Sequence, residues 1–246
     1  MNKYNLYKTI PSLFTICAFI FGFKAIMLAI DGKIKEAIYF VLIASILDLV
    51  DGRVARLLRA DSRFGAQLDS LSDMVCFGIA TSIIVMFFYD FNSNFLFLSA
   101  CFFSICAMLR LARFNLEIKY PSYYKNFFAG IPTPAGFGLG ILPICFHYGF
   151  NINIDSLYYA WYLILVSFGM ISSVPTPSTK TMVIPRSLLP LILALFALIV
   201  VSLVMYAWVA LSFFGVIYLL GILGSVIIVL RKKHKISHIE KLDLSK

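Results

Sequence analysis

Charged side chains are scarce in this chain. Asp, Glu, Lys and Arg make up 13% of its 246 residues, whereas they make up about a quarter of an average soluble domain. Apolar residues reach 61%, and the mean hydropathy is +0.92. So few charges cannot cover a surface that faces water. The composition therefore excludes an ordinary soluble domain and predicts a polytopic membrane protein.

Histidine is scarce, and no cysteines are paired at metal-ligand or redox spacing. The three histidines, His147, His234 and His238, are scattered and provide no zinc-ligand pattern. No two cysteines form a C-x-x-C pair, so we interpret all five as small apolar residues. They are Cys17, Cys76, Cys101, Cys106 and Cys145. The chain therefore offers neither a predicted zinc site nor a dithiol redox site.

Long apolar runs are abundant. A helix that crosses a bilayer needs about 20 apolar residues. The predicted spans are residues 10–30, 35–58, 66–89, 94–115, 131–149, 157–173, 187–206 and 207–230. The first is too long for a signal-peptide core, so we expect it to be retained as a span. The fifth is short and rich in Pro and Gly, and we expect Pro132 and Pro134 to shape a break in it.

These runs predict an all-α membrane helix bundle. We expect one domain over residues 1–230 and a basic cytoplasmic tail over residues 231–246. With the N-terminus in the cytoplasm, every Lys and Arg except Lys24, Lys33 and Lys35 lies on the cytoplasmic side. This bias predicts that both termini are cytoplasmic. It also explains the net charge of +9 without nucleic acid. We expect the protein to lie in the cell (inner) membrane.

Four acidic residues lie inside predicted spans, where each costs roughly 2.5–3.5 kcal/mol at the centre of a helix. The other acids are in loops, tails or helix ends. The four are Asp48, Asp51, Asp69 and Asp73. A structural cluster that pairs them with Arg53 or Arg56 is one explanation. A functional site is the other, and it accounts better for four buried acids.

The spacing of these acids favours a metal site. Asp48 and Asp51 are three residues apart, and Asp69 and Asp73 are four apart, so each pair projects from one helix face. The loop between the two helices is short, which predicts antiparallel neighbours with converging acidic faces. Carboxylates packed together in a medium of low dielectric repel one another. Oxygen ligands suit Mg²⁺ or Mn²⁺, and two ions can share four carboxylates.

Small residues and one arginine accompany the acids. Gly52 and Gly65 allow a ligand or another backbone to approach closely, and Ala55 extends the same small face. Packing between helices through small residues is the alternative explanation. Arg56 lies one turn from Gly52, where it can pair with a phosphate or act as a positive-inside anchor.

Together these residues form the pattern D-x2-D-G-x2-A-R-x8-G-x3-D-x3-D, which resembles the signature of the CDP-alcohol phosphatidyltransferases. The resemblance implies a six-helix core, usually dimeric, to which this chain adds about two C-terminal helices. It assigns the metal ions to Asp48, Asp51 and Asp69. It makes Asp73 the catalytic base, with a metal contact of its own. It places CDP against Gly52, Ala55, Arg56 and Gly65.

Three further segments resemble the phosphatidylserine synthase branch of that family. They are RLARFN at Arg110–Asn115, FFAGIPTPAG at Phe127–Gly136 and PTPSTK at Pro175–Lys180. This resemblance implies CDP-diacylglycerol and L-serine as substrates. It also suggests that serine or the diphosphate binds Arg110, Arg113, Asn115 and Lys180. Positive-inside anchoring explains the basic residues of this set equally well.

Other functions remain open from the sequence. Membrane aromatic prenyltransferases also combine acid-rich helices with Mg²⁺, but their pattern is N-D-x2-D-x3-D, and Leu47 stands where the Asn would be. A divalent-cation transporter would explain the four acids but not the glycines, Ala55 and Arg56 beside them. Within the resembled family, glycerol 3-phosphate and inositol are the alternative acceptors.

Overall fold

A computed structural model describes residues 9–58, 60, 62–89, 91–116, 127–177 and 189–243. The fold is all-α, as predicted, with one short strand pair among the described residues. The helices are α1, Ile10–Ile30; α2, Ile34–Leu58; α3, Arg63–Tyr89; α4, Asn94–Asn115; α5, Thr133–Gly140; α6, Leu142–Phe150; α7, Ser156–Ile171; α8, Leu189–Met205; and α9, Ala207–Asp243.

Within the residues that the structure describes, four helices are long and apolar enough to cross a membrane. They are α1, α3, α4 and the Ala207–Val229 part of α9. Helix α2 is 25 residues long, but its acids and arginines interrupt the apolar run. Large apolar side chains are exposed along these helices, among them Ile20, Leu98 and Ile217. Lipid is the solvent that suits such a surface, and the protein is a polytopic membrane helix bundle.

The described residues divide into two compact units. The first contains α1 to α5 and α7, and it holds all four membrane aspartates. The second contains α6, α8, α9 and the strands β1, Phe127–Ala129, and β2, Pro175–Pro177. A single domain over residues 1–230 stays a prediction.

A tight turn joins α1 to α2. The backbone N–H groups of Asp31 and Gly32 donate to the carbonyls of Met27 and Ala29 at the end of α1. Gly32 has a φ of 76°, a left-handed conformation that ends a helix at little cost to glycine. Helix α2 begins at Ile34, so α1 and α2 form an antiparallel hairpin.

The third span begins at a side-chain cap. The Ser62 hydroxyl accepts a hydrogen bond from the backbone N–H of Gly65 at 2.9 Å, and α3 begins at Arg63.

Immediately after Asp73 the helix takes a π-helical form over Met74–Ile79. The Gly78 carbonyl accepts hydrogen bonds from Ser82 at 3.1 Å and Ser104 at 3.3 Å. Such π-helical segments are frequent at functional sites.

The fifth span is broken, as predicted, but not by the expected prolines. Pro132 precedes α5 and Pro134 lies in its first turn, whereas the break is at Ile141, two residues before Pro143. Proline disfavours helical backbone in the residue before it, and it has no N–H to donate to the carbonyl four residues back. That carbonyl, of Leu139, instead accepts a hydrogen bond from the Tyr162 hydroxyl at 2.9 Å, and the Gly140 carbonyl accepts one from Tyr159.

In the second unit, the last two helices separate at Tyr206, as predicted. Helix α9 continues to Asp243, beyond the predicted end at residue 230. The extension is polar and contains neither Gly nor Pro, so nothing in it stops the helix after the apolar run ends. Strands β1 and β2 pair antiparallel, with Phe128 opposite Thr176.

Candidate active site

Three carboxyl groups converge at the hairpin of α2 and α3. Asp48 and Asp51 on α2 and Asp69 on α3 each offer one oxygen, and these oxygens all lie within 4.8 Å of one another. Asp51 is buried, with an exposed fraction of 5%, whereas Asp48 and Asp69 are half-buried. The antiparallel arrangement of α2 and α3 therefore brings the two acidic faces together, as the spacing predicts.

Asp73 adjoins this group from the next turn of α3. The Asp48 carboxyl group is close enough to those of Asp69 and Asp73 for hydrogen bonding. Asp48 is thus the central acid of the four. Asp73 is half-buried and directly precedes the π-helical segment.

The chemistry of this cluster fits a divalent metal ion. All donors are carboxylate oxygens, the ligand type that hard cations such as Mg²⁺ and Mn²⁺ prefer. Oxygens of like charge at this separation, inside an apolar helix bundle, need a counter-charge. Arg53 and Arg56 are both exposed, whereas Asp51 is buried and the other three acids are half-buried. The arrangement thus favours a cation as the counter-charge over the salt-bridged cluster.

One residue of this site carries no signal in the sequence pattern. The Thr15 hydroxyl on α1 donates a hydrogen bond to Oδ2 of Asp51 at 2.7 Å. Thr15 is buried, with an exposed fraction of 5%. A single threonine in an apolar helix has many ordinary roles, so only the packing of α1 against α2 and α3 reveals this contact.

The residues assigned to the CDP pocket are carried by the two acid-bearing helices, after Asp51 on α2 and before Asp69 on α3. Gly52 is half-buried, and the nearest atom to a side chain added there would be Nη1 of Arg56, 4.0 Å away. Ala55 is half-buried and Arg56 is exposed. Gly65 has a structural role as well, because a Cβ there would lie 3.0 Å from the Ser62 hydroxyl that caps α3. Contact of these four residues with CDP stays a prediction.

Of the residues assigned to serine or diphosphate, Asn115 contacts the neighbour of an acid, whereas Arg110 and Arg113 bond to other helix ends. Asn115, the last residue of α4, accepts a hydrogen bond at 3.2 Å from Ser70, the neighbour of Asp69. Arg110 donates to the Thr133 hydroxyl at 3.1 Å, and Arg113 donates to the carbonyl of Ile171 at 2.6 Å. These bonds give both arginines a role in joining helix ends. Their substrate contacts stay predictions, and Lys180 lies outside the described residues.

Comparison with known proteins agrees with this geometry. Residues 8–172 match the CDP-alcohol phosphatidyltransferase family. The chain is 30% identical over 203 residues to the CDP-diacylglycerol–serine O-phosphatidyltransferase of Mycobacterium leprae, covering 80% of this chain and 68% of that protein. It is 33% identical over 174 residues to the Helicobacter pylori protein so described, covering 69% of this chain and 72% of that one. It is 39% identical over 141 residues to the Bacillus subtilis protein of the same description, covering 56% of this chain and 77% of that protein. The family match includes all four aspartates, and the chain belongs to the CDP-alcohol phosphatidyltransferase family.

Proposed function

We propose that this protein transfers the phosphatidyl group of CDP-diacylglycerol to L-serine, giving phosphatidylserine and CMP. The observation that carries the proposal is the convergence of Asp48, Asp51 and Asp69, with Asp73 beside them. The choice of serine follows from the relatives, which are described as serine O-phosphatidyltransferases.

In the proposed reaction, Asp73 acts as general base. It accepts the proton of the serine hydroxyl while the serine oxygen forms a bond to the lipid-side phosphorus of the diphosphate. The bond between that phosphorus and the bridging oxygen breaks, and CMP leaves with the electron pair. Asp73 suits this task because it is not one of the three converging acids and is half-buried, so a carboxylate oxygen can face the acceptor.

Asp48, Asp51 and Asp69 would hold Mg²⁺ or Mn²⁺, with Asp73 as a further ligand, and four carboxylates suffice for two ions. When bound, the metal supplies positive charge that polarises phosphoryl oxygens and neutralises the leaving CMP. Gly52 and Gly65 would let the nucleotide approach the backbone, beside Ala55, and Arg56 would pair with a phosphate. Serine or the diphosphate would be held by the donors Arg110, Arg113, Asn115 and Lys180.

The proposed orientation puts both termini and the active site on the cytoplasmic side of the cell (inner) membrane. The strong bias of Lys and Arg toward that side supports it. A lipid headgroup and two water-soluble molecules, serine and CMP, can then meet at the membrane surface. We further propose a homodimer, as the family resemblance implies.

An acceptor panel tests the proposed substrate. Purified protein is given CDP-diacylglycerol and Mn²⁺ or Mg²⁺, and CMP release is measured with L-serine, glycerol 3-phosphate or inositol in turn. We expect rapid release with L-serine only, together with phosphatidylserine. Release with only one of the other acceptors would show that this acceptor, and not L-serine, is the substrate. No release with any acceptor, together with divalent-cation flux in vesicles, would instead indicate a transporter.

A further inference from the structure

The first helix contributes to the acid cluster although it contains no acidic residue. Its contribution is the Thr15 hydroxyl, which donates to Oδ2 of Asp51 at 2.7 Å. This is the distance of a charge-assisted hydrogen bond to a carboxylate. Both partners are buried, each with an exposed fraction of 5%, so water competes little for either group.

The proton of that hydroxyl has two potential acceptors. The carbonyl of Pro11, one turn earlier in α1, is 3.3 Å from the Thr15 oxygen. A hydroxyl has one proton to donate, and a threonine inside a helix commonly donates it to the carbonyl four residues back. Here the carboxylate is nearer by 0.6 Å, from 3.3 Å against 2.7 Å, and it carries the charge. The proton therefore goes to Asp51.

The backbone around Thr15 is itself fixed to α3. Ser72, the residue before Asp73, donates to the carbonyl of Thr15 at 3.3 Å. One turn further along, the Cys76 thiol donates to the carbonyl of Ala18 at 3.3 Å. Thr15 thus receives a hydrogen bond from α3 and gives one to α2, and it joins the two helices that carry the acids.

We propose that Thr15 is a positioning residue for the metal site, an inference that rests on the proposed metal-binding role of Asp51. Its hydrogen bond fixes the rotation of the Asp51 carboxylate, so that an oxygen faces Asp48 and Asp69. Groups that orient metal ligands in this way typically change metal affinity or activity by about 10–100-fold when they are removed.

Metal binding without substrate tests this role. The affinity of purified full-length protein for Mn²⁺ is measured by electron paramagnetic resonance, which detects the free ion. Thr15→Val keeps the side-chain shape but removes the donor, and we expect Mn²⁺ affinity to fall by about 10–100-fold. Thr15→Ser restores the donor, and its affinity should return to within a few-fold of wild type.

The matched control is Thr81→Val. Thr81 is fully buried, and its hydroxyl donates to the Phe77 carbonyl within its own helix. This variant should bind Mn²⁺ as tightly as wild type, even if its melting temperature falls. Because Thr15 acts through Asp51, Thr15→Val should add no loss of affinity when combined with Asp51→Asn.

The outcomes separate this proposal from the proposed function. Wild-type Mn²⁺ affinity in Thr15→Val, or an equal loss in Thr15→Ser, would overturn the positioning role and leave the metal site standing. A wild-type protein that binds no Mn²⁺ would overturn the metal site and the role of Thr15 together.

Discussion

At the scale of single residues, the four membrane aspartates have different surroundings. Asp51 is buried and held by Thr15, while Asp48 is within hydrogen-bonding reach of Asp69 and Asp73. Residues in such different positions are expected to perform different tasks. Three converging acids suit the binding of a cation, and the fourth, Asp73, suits the acceptance of a proton.

Substitution of two of these acids by asparagine separates the two tasks. Asp73→Asn should retain metal-dependent binding of CDP-diacylglycerol and lose turnover, because an amide cannot accept the serine proton. General-base catalysis typically contributes about 10²–10⁴-fold to the rate, which is the loss expected. Asp69→Asn removes a carboxylate from the converging three, so both metal and nucleotide affinity should fall. The measurements are nucleotide binding and CMP release for each variant.

Equal loss of nucleotide binding in the two variants would show that Asp73 is chiefly a ligand and that another group is the base. Near-normal turnover in Asp73→Asn would contradict the proposed mechanism itself. The comparison is matched, because both substitutions change the same chemical group on the same helix, four residues apart.

At the scale of helices, the close contact of α1 with α3 depends on Gly22. A Cβ at this position would lie 3.0 Å from the Cα of Cys76 and closer still to its Sγ. Helix α1 cannot keep Thr15 in place if it is pushed away from α3. Gly22→Ala should therefore lower stability by about 1–3 kcal/mol, the usual cost of overpacking, and lower metal affinity as well.

Gly138→Ala is the control for this prediction. Gly138 is also a helical glycine, in α5, but a Cβ there would have nothing within 4 Å. Alanine favours a helix by about 1 kcal/mol over glycine, so this variant should be at least as stable as wild type. Thermal unfolding in detergent and Mn²⁺ titration measure both effects. Equal melting temperatures and affinities for the two variants would show that α1 does not need this close approach.

The helices were predictable to different degrees. Apolar runs of bilayer length predicted the bounds of α1 and α4 directly, because polar loop residues follow the last apolar residues of each run. The Pro- and Gly-rich composition predicted a break in the fifth span. The position of the break at Ile141 depends on Pro143 and on two tyrosines of α7, whose hydroxyls donate hydrogen bonds to the backbone carbonyls before the break. The π-helical segment after Asp73 has no periodic signal that distinguishes it from an ordinary α-helix.

The site was predictable where its residues share a pattern. The spacing of Asp48, Asp51, Asp69 and Asp73 implied two acidic faces, and a short loop implied that they meet. Thr15 is different, because it is 36 residues from Asp51 and only the packing of α1 joins them. The hydrogen bonds of Arg110 and Arg113 to helix ends likewise depend on which helices are neighbours.

At the scale of the whole molecule, the proposed orientation predicts which ends of α2 are reachable from outside the cell. Native cysteines are first removed, and single thiols are then introduced as Arg63→Cys and Lys33→Cys. Both positions are exposed, and they lie beyond opposite ends of α2. An impermeant thiol reagent added to intact cells should modify the thiol at position 33 and spare the one at position 63.

Permeabilised cells provide the control, because both thiols should then react. Modification at position 63 in intact cells, with protection at position 33, would show that the topology is the reverse of the proposed one. It would also place the α2–α3 hairpin, and with it the acid cluster, toward the outside of the cell.

Serine-dependent release of CMP before and after metal removal is the most direct test of the central claim. The purified protein is assayed with CDP-diacylglycerol and L-serine, then after exhaustive chelation, and again after Mn²⁺ or Mg²⁺ is returned. We predict that release requires L-serine, stops on chelation and resumes with the metal. Full turnover by the chelated protein, or release that does not depend on L-serine, would contradict the account.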